Sequence, residues 1–224
     1  MIKTTTLFNK QELNLLHKQF GLHGEKGVIS KMLMPIGEAT GRVDALSKIY
    51  QNSKEINDVA KQFNIEPLFM ASIIYEEQSH LLPFEELNDS KGSGTSIGLS
   101  QVGVGELIKQ GFYPNIPIDS PVSKLSSEQL QQGRNYLVNP KNNIKILAKQ
   151  IQRLQNKLGY SPETLKSNTY FGSHALSKIA YIHNGFSDYP RRIMDYMKSD
   201  DIKKALNGNL PFKTPNIKTP QMGL

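Results

Sequence analysis

The sequence predicts a mainly helical fold, because its apolar residues recur at helical spacing and polar or glycine-containing loops separate the helical segments. The clearest segment is 144–158, in which six apolar residues with successive spacings of 3, 1, 3, 3 and 4 share one face: Ile144, Leu147, Ala148, Ile151, Leu154 and Leu158. Asn139-Pro140 is a helix start signal before this segment, and Gly159 is a stop signal after it. The chain of 224 residues is long enough to bury a substantial core.

In the N-terminal part, Asn9 is expected to cap a short helix over residues 10–20. Residues 21–41 hold five glycines and one proline, which predicts a loop. Two helices are predicted next, over 42–50 and 54–63. Each has an apolar stripe, formed by Val43, Leu46, Ile49 and Tyr50 in the first and by Ile56, Val59, Ala60 and Phe63 in the second.

A further helix begins at Pro67, a residue that suits the first helical turn. In a projection at about 100° per residue, Glu77 lies roughly 10° from the mean direction of an apolar stripe. This stripe consists of Phe69, Met70, Ile73 and Ile74. Glu76 lies about 90° away, at the rim of the stripe. A buried Glu must be hydrogen-bonded, paired or kept protonated, and a protonated carboxyl group can act as a general acid. The alternative, that Glu77 ends the helix and points into solvent, is equally consistent with the pattern.

The segments IIYEEQSH (residues 73–80) and GLSQV (residues 98–102) resemble the goose-type lysozyme and lytic transglycosylase superfamily. In that family a catalytic Glu ends a buried helix, and a Gly-Leu-Met-Gln motif lines the sugar-binding groove. The resemblance assigns the catalytic Glu to Glu77. Gln78 stands where Ser is usual, and Ser100 stands where Met is usual.

Beyond GLSQV, short helices are predicted over 104–110 and from a cap at Ser126 or Ser127 to Val138. The proline-containing residues 112–125 between them predict an ordered surface loop. The entry into the long helix, Pro-x-x-Asn-Ile at 140–144, also resembles the family. A last helix start is expected at 161–163, and the proline-rich tail 208–224 is either disordered or a surface strap.

A third, looser resemblance covers residues 179–196 and the family motif Ala-Tyr-Asn-x-Gly, whose Tyr reaches the catalytic Glu. Alignment on Asn184 places His183 at the position of that Tyr. Tyr181 cannot replace it without a shift, because two residues along a helix face different directions. His183 is equally well read as a structural histidine.

These resemblances imply a lysozyme-like helical domain over 42–207, preceded by an extension over 1–41 and followed by the tail 208–224. At most a small β-hairpin is expected beside the cleft, with its strands between Leu81 and Ile97.

Composition narrows the classes of partner. The formal charge is +7, which suits an anionic polymer, but no run of five basic residues supports nucleic-acid binding. The chain has no Cys, no metal-binding motif and no apolar run near the ~18 residues of a membrane span. We therefore expect no cofactor, no metal site, no nucleic-acid partner and no membrane span.

The resemblance implies a muramidase that cleaves the β-1,4 bond between N-acetylmuramic acid and N-acetylglucosamine in peptidoglycan, with Glu77 as the acid. Hydrolysis would need a second carboxylate, for which Asp89 is the best candidate. Gly103 stands where goose-type lysozymes often carry another Asp, which favours a lytic transglycosylase with one Glu. The expected sugar-binding residues are Gly98, Leu99, Ser100, Gln101, Val102, His183 and Asn184.

Two rival hypotheses are a lysozyme-like module that binds peptidoglycan without cutting it and an enzyme for another sugar polymer such as chitin.

The first residues lack the features of a Sec signal peptide. An enzyme acting in the periplasm or at the cell wall would then be a phage lysin, an effector from a secretion machine, or a protein whose leader has been removed. An effector would imply a cognate immunity protein.

Overall fold

The computed structural model describes residues 7–20, 41–81, 96–165 and 169–209, and over them the fold is mainly helical. The predicted loop 21–40, most of the loop that contains Asp89 and the tail from 210 lie outside the described residues. Among the described helices, none has the combined length and apolar character that a bilayer crossing requires.

The first four helices match the predicted segments closely. They are α1 (Lys10–Phe20), α2 (residues 41–51), α3 (Ser53–Phe63) and α4 (Pro67–Ser79). Asn9 caps α1 as expected, because its side-chain oxygen accepts a hydrogen bond from the Glu12 N–H at 2.9 Å. The predicted stripe of α2 is partly wrong: Leu46 and Ile49 are buried, whereas Val43 and Tyr50, at its two ends, are exposed.

The middle of the chain forms a two-stranded antiparallel hairpin, three further α-helices and a short 3-10 helix over Val122–Lys124. The strands are β1 (Ser96–Ile97) and β2 (Val102–Gly103), and α5 (Val104–Lys109), α6 (Ser127–Val138) and α7 (Pro140–Lys157) follow. The hairpin is as small as expected, but its second strand lies beyond Ile97, because the turn that joins the strands is GLSQ itself. Ser126, not Ser127, caps α6, in a reciprocal arrangement with Gln129.

Four helices complete the described chain: α8 (Pro162–Leu165), α9 (Tyr170–Asn184), α10 (Tyr189–Tyr196) and α11 (Asp200–Leu206). Leu16 of α1 and Phe8, which precedes this helix, share a small apolar cluster with Tyr181 of α9. The predicted N-terminal extension therefore contributes a helix that contacts the rest of the fold.

Helix α4 lies at the centre of the main apolar core, and ten of its thirteen residues are buried. Helices α3, α10 and α11 contact it on different sides. A second apolar cluster, around Leu107, Leu137 and Ile146, supports the hairpin. Gln78, in the last turn of α4, bonds to the Gly98 and Leu99 carbonyls, so this turn of the helix lies beside the hairpin.

Candidate active site

Glu77 lies in the last turn of α4, and its side chain is 15% exposed. Its Oε1 atom accepts a hydrogen bond from the Tyr189 hydroxyl at 2.7 Å and one from the Asn184 amide at 3.4 Å. His183 Nε2 lies 3.6 Å from the same oxygen. The start of α10 and the end of α9 thus supply three polar groups to one carboxylate oxygen.

The second oxygen of Glu77 is different, because Oε2 has no hydrogen-bond partner among the described residues and is not fully buried. One oxygen of the carboxylate is therefore anchored, and the other is available to a ligand. This arrangement fixes the orientation of the side chain, which general acid–base catalysis requires.

Burial by itself would raise the pKa of Glu77. His183 lowers this pKa through a hydrogen bond and its charge, and Tyr189 and Asn184 lower it through hydrogen bonds. Together these interactions outweigh burial, so the pKa lies below its usual value. Burial, followed by the neighbouring Glu77 charge, raises the pKa of Tyr189 well above its usual value, so this residue remains a neutral donor. The resting site therefore holds an ionised Glu77. Of the alternatives left open by the sequence, the hydrogen-bonded carboxylate is the one found.

Gln78 links the end of α4 to the hairpin. Its Nε2 donates to the carbonyl oxygens of Gly98 at 3.2 Å and Leu99 at 2.9 Å, while its Oε1 accepts from Lys48 Nζ at 2.9 Å. The residue that departs from the family motif thus holds the GLSQ turn beside Glu77. A serine side chain is too short to span both carbonyls.

The buried Asn143 of α7 fixes the other side of the turn. Its Oδ1 accepts from the Ser100 N–H at 2.8 Å and the Ser100 hydroxyl at 2.7 Å, and its Nδ2 donates to the Ile97 and Leu137 carbonyls. Gly98 has φ +76°, and a Cβ at this position would lie 2.4 Å from Asn143 Nδ2. The turn therefore requires glycine both for its backbone conformation and for this close contact.

The predicted sugar-binding residues of the turn have different environments. The side chains of Leu99, Ser100 and Val102 are buried, so only their backbones could meet a ligand. Gln101 is partly exposed, has φ +47°, and donates from Nε2 to the Gly98 carbonyl at 3.0 Å.

His183 connects Glu77 to a cleft of about 530 Å³. Its Nδ1 is 2.9 Å from Gln150 Oε1, and Lys109, Arg153 and Lys157 lie among the residues that line the cleft. Tyr181 faces away from Glu77, as expected: its hydroxyl is 2.7 Å from His17 Nε2.

The expectation that Glu76 lies at the rim of the apolar stripe of α4 is wrong, because other parts of the protein cover this helix on all sides. Glu76 is only 3% exposed, and its Oε1 accepts from Arg192 Nε at 2.6 Å. Burial raises the pKa of Glu76 in spite of the nearby Arg192 and His80.

Sequence reasoning missed Tyr189 as a site residue, although it lies in the third motif. The sequence does place this aromatic residue at the start of the helix that follows Asn184-Gly185. Its contact with Glu77 is visible only once α10 packs against α4 in the folded protein. Asp89 lies outside the described residues.

The described side chains contain no group of three or more His, Asp or Glu that could hold a metal ion. No family model, no curated protein and no solved structure matches this chain.

Proposed function

We propose that this protein is a peptidoglycan muramidase of the lytic-transglycosylase type, with Glu77 as its acid and base. The observation that carries the proposal is the asymmetric environment of Glu77, whose Oε1 is held by Tyr189 and Asn184 while Oε2 is open. The GLSQ turn supports the proposal because Gln78, the residue after Glu77, bonds to two of its carbonyl oxygens and so holds its backbone polar groups near the end of α4.

In the proposed reaction, protonated Oε2 of Glu77 donates its proton to the glycosidic oxygen as the bond from that oxygen to C1 of N-acetylmuramic acid breaks. The N-acetyl oxygen of the same sugar stabilises the positive charge at C1. The 6-hydroxyl then attacks C1 and gives its proton to the Glu77 carboxylate, which yields a 1,6-anhydro product. The proton lost in the first step is recovered in the second, so one Glu completes the cycle.

Glu77 is ionised in the resting site, so the proposal requires protonation when the glycan binds. A sugar over Oε2 would exclude water from the carboxylate, and desolvation favours its neutral form. The net charge of +7 would help to attract the anionic wall polymer.

Two features favour transglycosylation over hydrolysis by two carboxylates. Glu76, the neighbouring acid, is buried and bonded to Arg192, so it has no access to the far face of a sugar. Gly103, in β2, offers no carboxylate where lysozymes of this kind often carry Asp. Hydrolysis assisted by Asp89 is the outcome that would replace the proposal.

The test is digestion of purified peptidoglycan by the unaltered protein, by Glu77→Gln and by Glu128→Gln, an exposed Glu on α6 that serves as the matched control. We expect anhydro-muropeptides from the unaltered protein and from the control, and at least a ~100-fold slower release from Glu77→Gln. Binding to the polymer without release of any fragment would refute the enzyme and favour the non-cutting module.

A further inference from the structure

We propose that Glu76 and Arg192 act as positioning residues that hold Tyr189 against Glu77. The inference rests on the proposed function, because it assigns a role in the same acid–base site. Neither residue touches Oε2 of Glu77, so both would act through the Tyr189 hydroxyl rather than on the substrate.

The geometry joins two adjacent carboxylates of α4 to two residues one turn apart on α10. Glu77 accepts from the Tyr189 hydroxyl at 2.7 Å, and Glu76 accepts from Arg192 Nε at 2.6 Å. The Arg192 guanidinium also lies 5.9 Å from the centre of the Tyr189 ring. Residues three apart on a helix share a face. The Glu76–Arg192 ion pair therefore fixes the position of α10 along and around its axis at Tyr189.

The Glu76–Arg192 pair is poorly explained as a source of stability. Glu76 is 3% exposed and Arg192 13%, so both charges lose most of their hydration. Glu76 Oε2 and Arg192 Nη2 are buried and make no hydrogen bond within the described structure, although His80 Nδ1 lies 3.5 Å from that Glu76 oxygen. A buried pair that is not fully satisfied is often no more stable than an apolar contact of the same size, but it does fix a geometry.

The ionisable groups around the two carboxylates are different. Glu76 is faced by Arg192 and Tyr196 of α10 and by His80 at the end of α4. Glu77 is faced by His183 and Tyr189 and by the neutral amide of Asn184, and its charge also repels the neighbouring Glu76 carboxylate. Asp188 pairs with Arg192 through Nη1, whereas Glu76 pairs through Nε, so Asp188 also helps to hold the guanidinium. A change that preserves the Arg192 charge should therefore reach Glu77 mainly through Tyr189.

The experiment measures the pKa of Glu77 by NMR titration of the substrate-free protein labelled at its Glu carboxyl carbons. Arg192→Lys keeps the charge but lacks the planar fork, and Glu76→Asp keeps the charge but withdraws it by one methylene. Arg191→Lys is the matched control, because its parent side chain is 61% exposed on the same helix. Each change is also made together with Tyr189→Phe.

We expect Arg192→Lys and Glu76→Asp to raise the Glu77 pKa by about one unit and Arg191→Lys to leave it unchanged. In combination with Tyr189→Phe, neither change should shift the pKa further, because the hydroxyl that transmits the effect is absent. Equal shifts with and without that hydroxyl, or no shift from either variant, would overturn the inference. If one of the two variants does not fold, the other gives the same reading.

Kinetics supply a readout that a purely structural role would not move. Arg192→Lys should lower kcat about tenfold or more while KM stays within about twofold, since a misplaced general acid slows the chemical step. A loss confined to thermal stability would contradict the positioning role. The titration needs no activity. A protein that fails to cleave peptidoglycan would therefore refute the proposed function, while the titration would still test the positioning role of Glu76 and Arg192.

Discussion

Replacement of Asn143 by Ala tests whether the hairpin is held by the contacts assigned to it. This side chain is fully buried and makes four hydrogen bonds, two to Ser100 and one each to the Ile97 and Leu137 carbonyls. Each hydrogen bond contributes about 0.5–1.5 kcal/mol, and buried groups left unpaired cost more. We therefore expect the free energy of unfolding to fall by about 2–6 kcal/mol.

The assay is urea denaturation followed by circular dichroism, with Asn142→Ala as the control. Asn142 is the neighbouring residue on α7, and its side chain donates one hydrogen bond, to the Tyr136 carbonyl at 3.2 Å. Its replacement should cost about 1 kcal/mol. Equal losses for Asn142→Ala and Asn143→Ala, or a loss below about 1 kcal/mol for Asn143→Ala, would refute the assignment of Asn143 as the anchor of the turn.

Three further predictions concern the residues around the carboxylate and the turn. Tyr189→Phe removes a charge-assisted bond of about 1.5–3 kcal/mol, so it should raise the lowered pKa of Glu77 by about one to two units. The alkaline limb of the kcat/KM profile, where the acid loses its proton, should then move to higher pH, and an unmoved limb would contradict the assigned contact. Gln78→Ala should reduce kcat and the unfolding temperature together, as measured on peptidoglycan and by calorimetry, because the hairpin loses two bonds to α4. Gly98→Ala should destabilise the protein more than Gly159→Ala, as measured by urea denaturation. Both positions have positive φ, but only the Cβ at position 98 would meet a neighbour, and equal losses in the free energy of unfolding would argue against the close approach to Asn143.

The lowered pKa of Glu77 also sets the direction of a stability effect. Since its folded-state pKa lies below the unfolded value, ionised Glu77 contributes stability above the unfolded pKa, and this contribution is lost as the pH falls through the folded pKa. The Tyr189→Phe variant should show less of this acid-dependent loss, because its Glu77 is held less strongly in the ionised form.

Much of the helical architecture follows from local signals in the sequence. The caps at Asn9, Ser126 and Asn139 and the stop at Gly159 set helix ends correctly because their effects act within a few residues. The projection of α4 also identified Glu77 as a residue that faces the interior side.

The same projection gave the wrong environment for Glu76, because it assumes that one face of the helix is exposed to solvent. Other helices surround α4 instead. The contacts of Tyr189 with Glu77 and of Asn143 with Ser100 join residues far apart in the chain. They depend on how α10 and α7 pack, which no local pattern encodes. The anchored and open oxygens of Glu77 could therefore be assigned only from the folded chain.

The central claim is that Glu77 alone provides acid and base for cleavage with transfer to the sugar's own 6-hydroxyl. Digestion of peptidoglycan in water enriched in ¹⁸O, with products analysed by mass spectrometry, tests it most directly. We expect 1,6-anhydro products without ¹⁸O from the unaltered protein and none from Glu77→Gln. Reducing ends that carry ¹⁸O, or undiminished release by Glu77→Gln, would contradict it.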